Sequence, residues 1–251
     1  MPTSLRTLWN DITEGSVRQR LITVLRDAII HMTLEPGQAL SEKEIADTFD
    51  VSRQPVREAF IRLSEAGLVE VRPQRGTFVV PISEAAVLEA QFIREAIEVA
   101  VVRACAEHGL SEAMARELDD LLVRQRRCQT TGDSERFYAL DEAFHHTLAR
   151  AAGHNMAWRI TQDAKAQLDR VRYLSMPNTT PLDILIDQHT AIIEAITTAD
   201  IVGAERMMRA HMREILKSLP NVKAHYPALF DDEAQKTFAT AGAGHDQENV
   251  G

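Results

Sequence analysis

A chain of 251 residues with 45% hydrophobic and 26% charged side chains has the make-up of a water-soluble globular protein long enough for two domains. Its two cysteines, Cys105 and Cys128, exclude a disulfide framework, and no apolar run nears the roughly 20 residues that cross a bilayer. The start of the chain lacks a secretory pattern, so a cytoplasmic protein without a membrane partner is expected, and a net charge of −9 keeps non-specific affinity for polyanions modest.

The first informative stretch runs from Leu40 to Val80. Leu40, Ile45, Ala46 and Phe49 recur at helical intervals behind a Ser41-x-x-Glu44 capping box, which predicts a short helix ending at the turn Asp50-Val51-Ser52. Ser52 is an expected N-cap for a second helix, with Pro55 in its first turn, an apolar face of Val56, Phe60, Leu63 and Leu68, and Gly67 as the stop. Val69–Arg72 then alternates as a strand, residues 73–76 turn, and Thr77–Val80 returns. Helix, turn, helix and hairpin in this order predict a winged helix-turn-helix.

Arg53, Gln54 and Arg57 cluster at the start of the second helix, where free N–H groups suit a phosphate. Arginine matches guanine O6/N7 and glutamine matches adenine N6/N7. Arg75 and Gly76 form a slim basic hairpin tip. Residues 51–80 carry five arginines against three glutamates, so the acidity lies elsewhere in the chain. An ordinary helical pair with solvated arginines is the plainer reading of the arginines alone. The cap, turn, proline and basic tip together favour DNA.

From Ser83 the pattern is helical throughout. Breaks at Gly109, residues 130–133, 153–155, 176–181 and 199–200 predict six helices packed as an antiparallel bundle. The fold class is thus mainly α. The expected division is 1–80 for the winged helix, 81–230 for the bundle and 231–251 for a disordered tail without periodic apolar residues.

Three bundle helices carry polar groups on apolar faces. Asp141 and His145 lie one turn apart among Phe137, Tyr138, Leu140, Phe144 and Leu148; His189 aligns with Ile186, Ile193 and Ile196; His211 aligns with Met207, Ile215 and Leu219. Burying these four groups without partners would be costly. A shared divalent metal and a set of hydrogen-bonded core histidines both answer that cost, and spacing leaves both open. His146, on the opposite face with Glu142 and Arg150, is expected in solvent.

The run VSRQPVREAFIRLSEAGLVEVRPQRGTFV, with LEPGQALSEKEIA before it, closely resembles the signature of GntR-type transcriptional regulators over residues 17–80. That resemblance implies Lys43, Ser52, Arg53, Gln54, Arg57, Arg75, Gly76 and Thr77 as DNA-contacting positions. The chain departs from the pattern at Leu40, where proline is commoner, and at His31-Met32, where many members carry glycine. Leu-Asp-x-x-Phe-His at 140–145, Gln-His-x-x-Ile-x-x-Ala-Ile at 188–196 and His211-Met212 resemble the FCD domain of the FadR-like branch, with six helices nearer the VanR-like subgroup. By that resemblance Asp141, His145, His189 and His211 hold a divalent metal, zinc first and nickel, manganese or iron after it. The metal would present an open position to a small organic acid. Arg94 matches an arginine turned toward that cavity, although a pair with Glu98 at i,i+4 is an equal reading; Gln167, Arg170 and Arg172 are further candidates.

The expectation is a metabolite-responsive regulator, a repressor and homodimer reading a short inverted repeat in double-stranded DNA. A metal-dependent hydrolase fused to a DNA-binding domain, or an effector-independent DNA-binding dimer, are the alternatives.

Overall fold

The computed structural model describes residues 3–176 and 181–231. The expected tail, all but Asp231, lies outside them. The chain divides into two compact units: the first runs to Leu88 and resumes at Lys223, and the second spans Glu89–Val222. The first unit therefore extends past Val80. Ile82 N–H donates to the Leu229 carbonyl at 2.8 Å and Lys223 pairs with Glu84 at 2.9 Å, which ties residues 223–231 to this unit.

In the first unit, helix α1 (Thr3–Asp11) precedes every element read from the sequence. It buries Leu5 and sets Trp9 against Phe49, with ring centroids 4.8 Å apart. Helix α2 (Val17–Ile30) starts at a complete capping box between Ser16 and Gln19 and buries Leu21, Val24, Leu25, Ala28 and Ile29. It ends before Met32, held at φ 56°, the left-handed region that favours glycine.

Helix α3 (Glu42–Phe49) begins where Ser41 Oγ accepts from the Glu44 N–H at 3.3 Å, and Asp50 closes it at φ 53°. Helix α4 (Arg53–Glu65) ends in a Schellman motif: Leu68 N–H reaches the Leu63 carbonyl at 2.9 Å and Gly67 N–H reaches Ser64 at 3.0 Å. Strands β1 (Ala39–Leu40), β2 (Val69–Arg72) and β3 (Gly76–Val79) form an antiparallel sheet in the order β1-β3-β2. Leu40 therefore does not open a helix. It pairs with Thr77 across the sheet and is buried there; it lies five residues before Ile45 and six before Ala46, where the sequence pattern did not separate a helical stripe from a strand end.

The second unit is helical among its described residues. It contains most of α5 (Glu84–His108), then α6 (Glu112–Thr131), α7 (Ser134–Ala151), α8 (Asn155–Ala164), α9 (Ala166–Ser175), α10 (Leu182–Thr197), α11 (Ile201–Met212) and most of α12 (Glu214–His225). Eight helices stand where six were expected. The extra breaks fall at single residues, Lys165 and Arg213, neither a glycine nor a proline, so the sequence carried no stop signal there. Ser111, Asp133 and Asp200 cap α6, α7 and α11 through their side chains. Val102, Leu118, Phe137, Phe144, Ile186, Ile192 and Met208 make the core.

Candidate functional sites, a DNA-reading face and a metal centre

Helix α4 buries Val56, Ala59, Phe60 and Leu63, which turns the other side outward. Lys43, Ser52, Arg53, Gln54, Arg57, Arg75 and Gly76 are all exposed. Ser52 sits at the N-cap, yet its hydroxyl makes no capping hydrogen bond, so hydroxyl and helix N–H groups stay available to a phosphate. Arg53, Lys43 and Arg75 make no ion pair among the described residues. Arg57 is held by Glu42 through two bonds of 3.0 Å, and Gln54 donates to Glu58 at 3.1 Å. These contacts are exposed and exchangeable at small cost. Thr77 differs from its expected role: it is 8% exposed and sits in the middle of the sheet opposite Leu40 and Val71. At the hairpin tip Pro73 is followed by Gln74 at φ 61° and then Gly76 at φ 107°, a backbone only glycine adopts cheaply.

The second site is built from α7, α10 and α11. Asp141, His145, His189 and His211 are all buried, and one ligand atom of each lies within 4.8 Å of every other. His211 Nε2 is 3.2 Å from His145 Nε2 and 3.2 Å from His189 Nε2, and His189 Nε2 is 3.4 Å from Asp141 Oδ1. Phe144 stacks on His189 at 4.1 Å and fixes its ring.

What surrounds the imidazoles decides their tautomers. Gln125 donates from Nε2 to the Leu140 carbonyl at 3.2 Å, so its Oε1 faces His189 Nδ1 at 2.9 Å. Gln188 donates to Glu214 at 2.9 Å, so its Oε1 faces His211 Nδ1, also at 2.9 Å. His145 Nδ1 meets the Glu98 carboxylate. Burial pushes the Glu98 carboxyl up, but His145 and Arg94 outweigh it and hold it down at about 2. Every Nδ1 thus faces an acceptor and carries the proton, which turns every Nε2 lone pair toward the same point.

Three imidazole lone pairs and a carboxylate aimed at one another have no donor between them, and protonation is the costly remedy. Burial lowers the affinity of His189 for a proton. Burial, then the neighbouring His189 and His145, does so more strongly for His211. Asp141, despite burial, is held well below the usual carboxylate range by Arg172 and His189. Neutral His189 and His211 beside an ionised Asp141 are the protonation states a divalent ion requires. Metal–nitrogen bonds of ~2.0–2.1 Å give tetrahedral edges of about 3.3 Å, close to the separations found. The residues fit a metal.

Arg94 and Arg172 line a small cavity of about 30 Å³ beside this centre, partly open to solvent, together with Ser175, Glu214, Met176, Leu185, Met212 and Ile215. Arg94 lines the cavity and also pairs with Glu98, with both side chains buried. Its Nε donates to Glu98 at 2.6 Å, while its Nη2 is buried with no hydrogen-bond partner among the described residues. Arg172 pairs with Asp141, with Glu142 at 2.6 Å and with Asp169 at 3.3 Å. Gln167 and Arg170 are buried but do not line the cavity; Arg170 donates to Gln167 at 3.3 Å. His146 is not solvated as expected, but half-buried and stacked on Trp158 at 5.1 Å.

The sequence assigned no role at the imidazoles to Glu98, Gln125 and Gln188, which orient the rings; Gln188 stood only as a motif residue beside His189. Glu98 registered only as a partner for Arg94. The full burial of Gln125, the one signal that marks it, exists only in three dimensions.

Comparisons with known proteins identify the family of each part of the chain. Residues 17–79 match the model of bacterial regulatory proteins of the gntR family, and residues 89–214 match the FCD domain. The HTH-type transcriptional repressor RspR of Escherichia coli is 40% identical over 86% of this chain and 95% of its own length. Among solved structures, Escherichia coli McbR/YncC superposes with a TM-score of 0.71 at 20% identity, covering 85% of this chain and all of that one. A GntR regulator from Rhodococcus gives 0.67 at 25% identity, covering 82% and 99%. Such relatives are transcription regulators and not enzymes, which sets aside the hydrolase alternative. No described helix is long and apolar enough to cross a membrane. The chain belongs to the gntR family of bacterial regulatory proteins, as a DNA-binding transcription regulator whose helical part is an FCD domain.

Proposed function

We propose that the chain acts in the cytoplasm as a homodimeric repressor on double-stranded DNA carrying a short inverted repeat, with operator affinity set by a small organic acid. Residues 1–80 would do the reading and 81–230 the sensing. Arg53 and Gln54 reach base edges, Ser52 and the first N–H groups of α4 meet a phosphate, and Lys43, Arg75 and Gly76 hold the backbone. Arg57 joins them by leaving Glu42. Thr77, being buried, supports the hairpin instead.

The observation that carries the sensing half is one cavity that brings together the Asp141 carboxylate, His211 and the unsatisfied Nη2 of Arg94. A divalent ion, zinc first and nickel, manganese or iron after it, would be held by Asp141 and the Nε2 atoms of His145, His189 and His211. When bound, it supplies a Lewis-acid position for one oxygen of a carboxylate. Arg94 grips another oxygen, since a buried guanidinium N–H without an acceptor gains most from an anion. The apolar wall of Met176, Leu185, Met212 and Ile215 excludes water and limits the ligand to a few carbon atoms beyond its carboxylate. Binding then shifts the DNA-competent population by a coupling of about 1–3 kcal/mol.

Metal analysis of protein purified without added metal, followed by a thermal-shift screen of small organic acids on zinc-loaded protein, tests this. One ion per chain and at least one acid that raises the melting temperature and changes operator affinity are expected. Absence of the ion, or indifference to every acid, would refute the sensing reading.

A further inference from the structure

Helix α5 carries a face that its own unit does not cover. Glu89, Phe92, Ala96, Ala100 and Arg103 are exposed in a row along it, and Phe92 is 71% exposed. So large an aromatic left in water marks a surface that something else covers. The buried side of the same helix, with Val99 and Val102, is already occupied by the core.

The order of this row identifies the occupant. Its steps are three, four, four and three residues, the same read from either end, with Ala96 at the centre. Its chemistry reverses about that centre: an acid at one end, a base at the other, a large apolar residue on one side and a small one on the other. We infer that this face of α5 pairs antiparallel with the same face of a second copy about a two-fold axis at Ala96. The inference rests on the homodimer proposed above and names its interface.

In that pairing Ala96 meets Ala96 of the second copy, and the small side chains let the backbones approach. Phe92 fills the space over Ala100 of the second copy, and Glu89 meets Arg103. Seven residues on either side of the centre correspond to about 10.5 Å of helix, so acid and base come level. Glu89 makes no ion pair among the described residues and is free to do so. Arg103 already contacts Glu107 at 2.9 Å and Glu205 of α11 at 3.0 Å, which hold its guanidinium at the rim. Arg206, exposed and without an ion pair among the described residues, lines the same depression as Glu205 and adds positive charge where Glu89 of the second copy arrives. A two-fold interface requires this self-complementarity. A face meant for an unrelated partner would not.

Sedimentation across a dilution series on the full chain tests the pairing. Phe92→Glu should weaken self-association roughly a hundredfold with the melting temperature unchanged, since the side chain touches little in its own chain. Glu89→Arg and Arg103→Glu should each weaken it roughly tenfold, and the double exchange should restore it, because acid and base then simply trade ends. Ala96→Cys should form an intermolecular disulfide in air, while a cysteine at the exposed Thr130 should not. The interface is overturned if Phe92→Glu keeps the parent dissociation constant, if the double exchange is no better than the single ones, or if a dimeric Ala96→Cys fails to crosslink. Each of those results leaves the DNA reading untouched. A parent chain that is monomeric at concentrations saturating its operator would overturn both this pairing and the two-half-site reading.

Discussion

The proposed DNA-reading face and the Asp141, His145, His189 and His211 cluster hold their polar side chains in opposite ways. On α4 the cations are exposed: Arg53 makes no ion pair among the described residues, and Arg57 is held only by the solvent-accessible Glu42. Around His189 the three imidazoles and Asp141 are buried and each ring's orientation is dictated by a neighbour: Gln125 for His189, Gln188 for His211, Glu98 for His145. The difference follows from desolvation. A solvated arginine needs no partner until DNA arrives, whereas a buried imidazole with no fixed tautomer would be a standing cost. A recognition face can therefore vary residue by residue, while a buried centre stands or falls with its supporting shell.

The largest expected effect tests the buried side. His211→Ala should lower metal affinity by more than the roughly 10–100-fold that losing an outer-shell partner produces. Competition against a chelator with a known constant reads this, and near-normal affinity would show that the four groups do not act as one site. Next, Arg53→Ala should weaken operator binding by about 1–3 kcal/mol and flatten its salt dependence, with an unchanged melting temperature. A loss of fold instead would mean that Arg53 supports α4 and is not a free surface residue.

Gln188→Leu sharpens the contrast. Metal affinity should drop about 10–100-fold although Gln188 touches no metal, because His211 loses the acceptor that fixes its tautomer. The same type of change on the exposed face, Glu58→Leu beside Gln54, should leave operator affinity within about threefold.

The smallest effects concern stability. Arg213, assisted by Gln91 and Arg209, holds the Glu95 carboxyl down at about 2 against the upward push of burial. A depressed carboxylate stabilises above its unfolded value and loses that contribution as pH falls through the folded one. The melting temperature should therefore decline between about pH 4.5 and 2, and Glu95→Gln should be less stable at neutral pH but show a shallower decline. Met32→Gly should stabilise by about 0.5–1 kcal/mol, since glycine adopts φ 56° without the cost methionine bears.

Much of the fold was legible before any coordinates. Ser41, Asp50, Pro55 and Gly67 mark element ends by local backbone chemistry, and β2 and β3 lie where alternation and the 73–76 turn put them. The break at Lys165 and the strand at Leu40 were not legible. One has no glycine or proline to announce it, and the other exists only because β3 returns alongside.

The inward direction of Asp141, His145, His189 and His211 is a matter of helical periodicity, a local property of each helix, and the sequence alone determined it. Their convergence within 4.8 Å, the glutamines and Glu98 that aim their lone pairs, and the sharing of Arg94 between Glu98 and the cavity belong to tertiary structure. Periodicity fixes which way a side chain points from its own helix. Only packing fixes which atoms of other helices it meets, because the contacts join residues as far apart in the chain as Gln125 and His189.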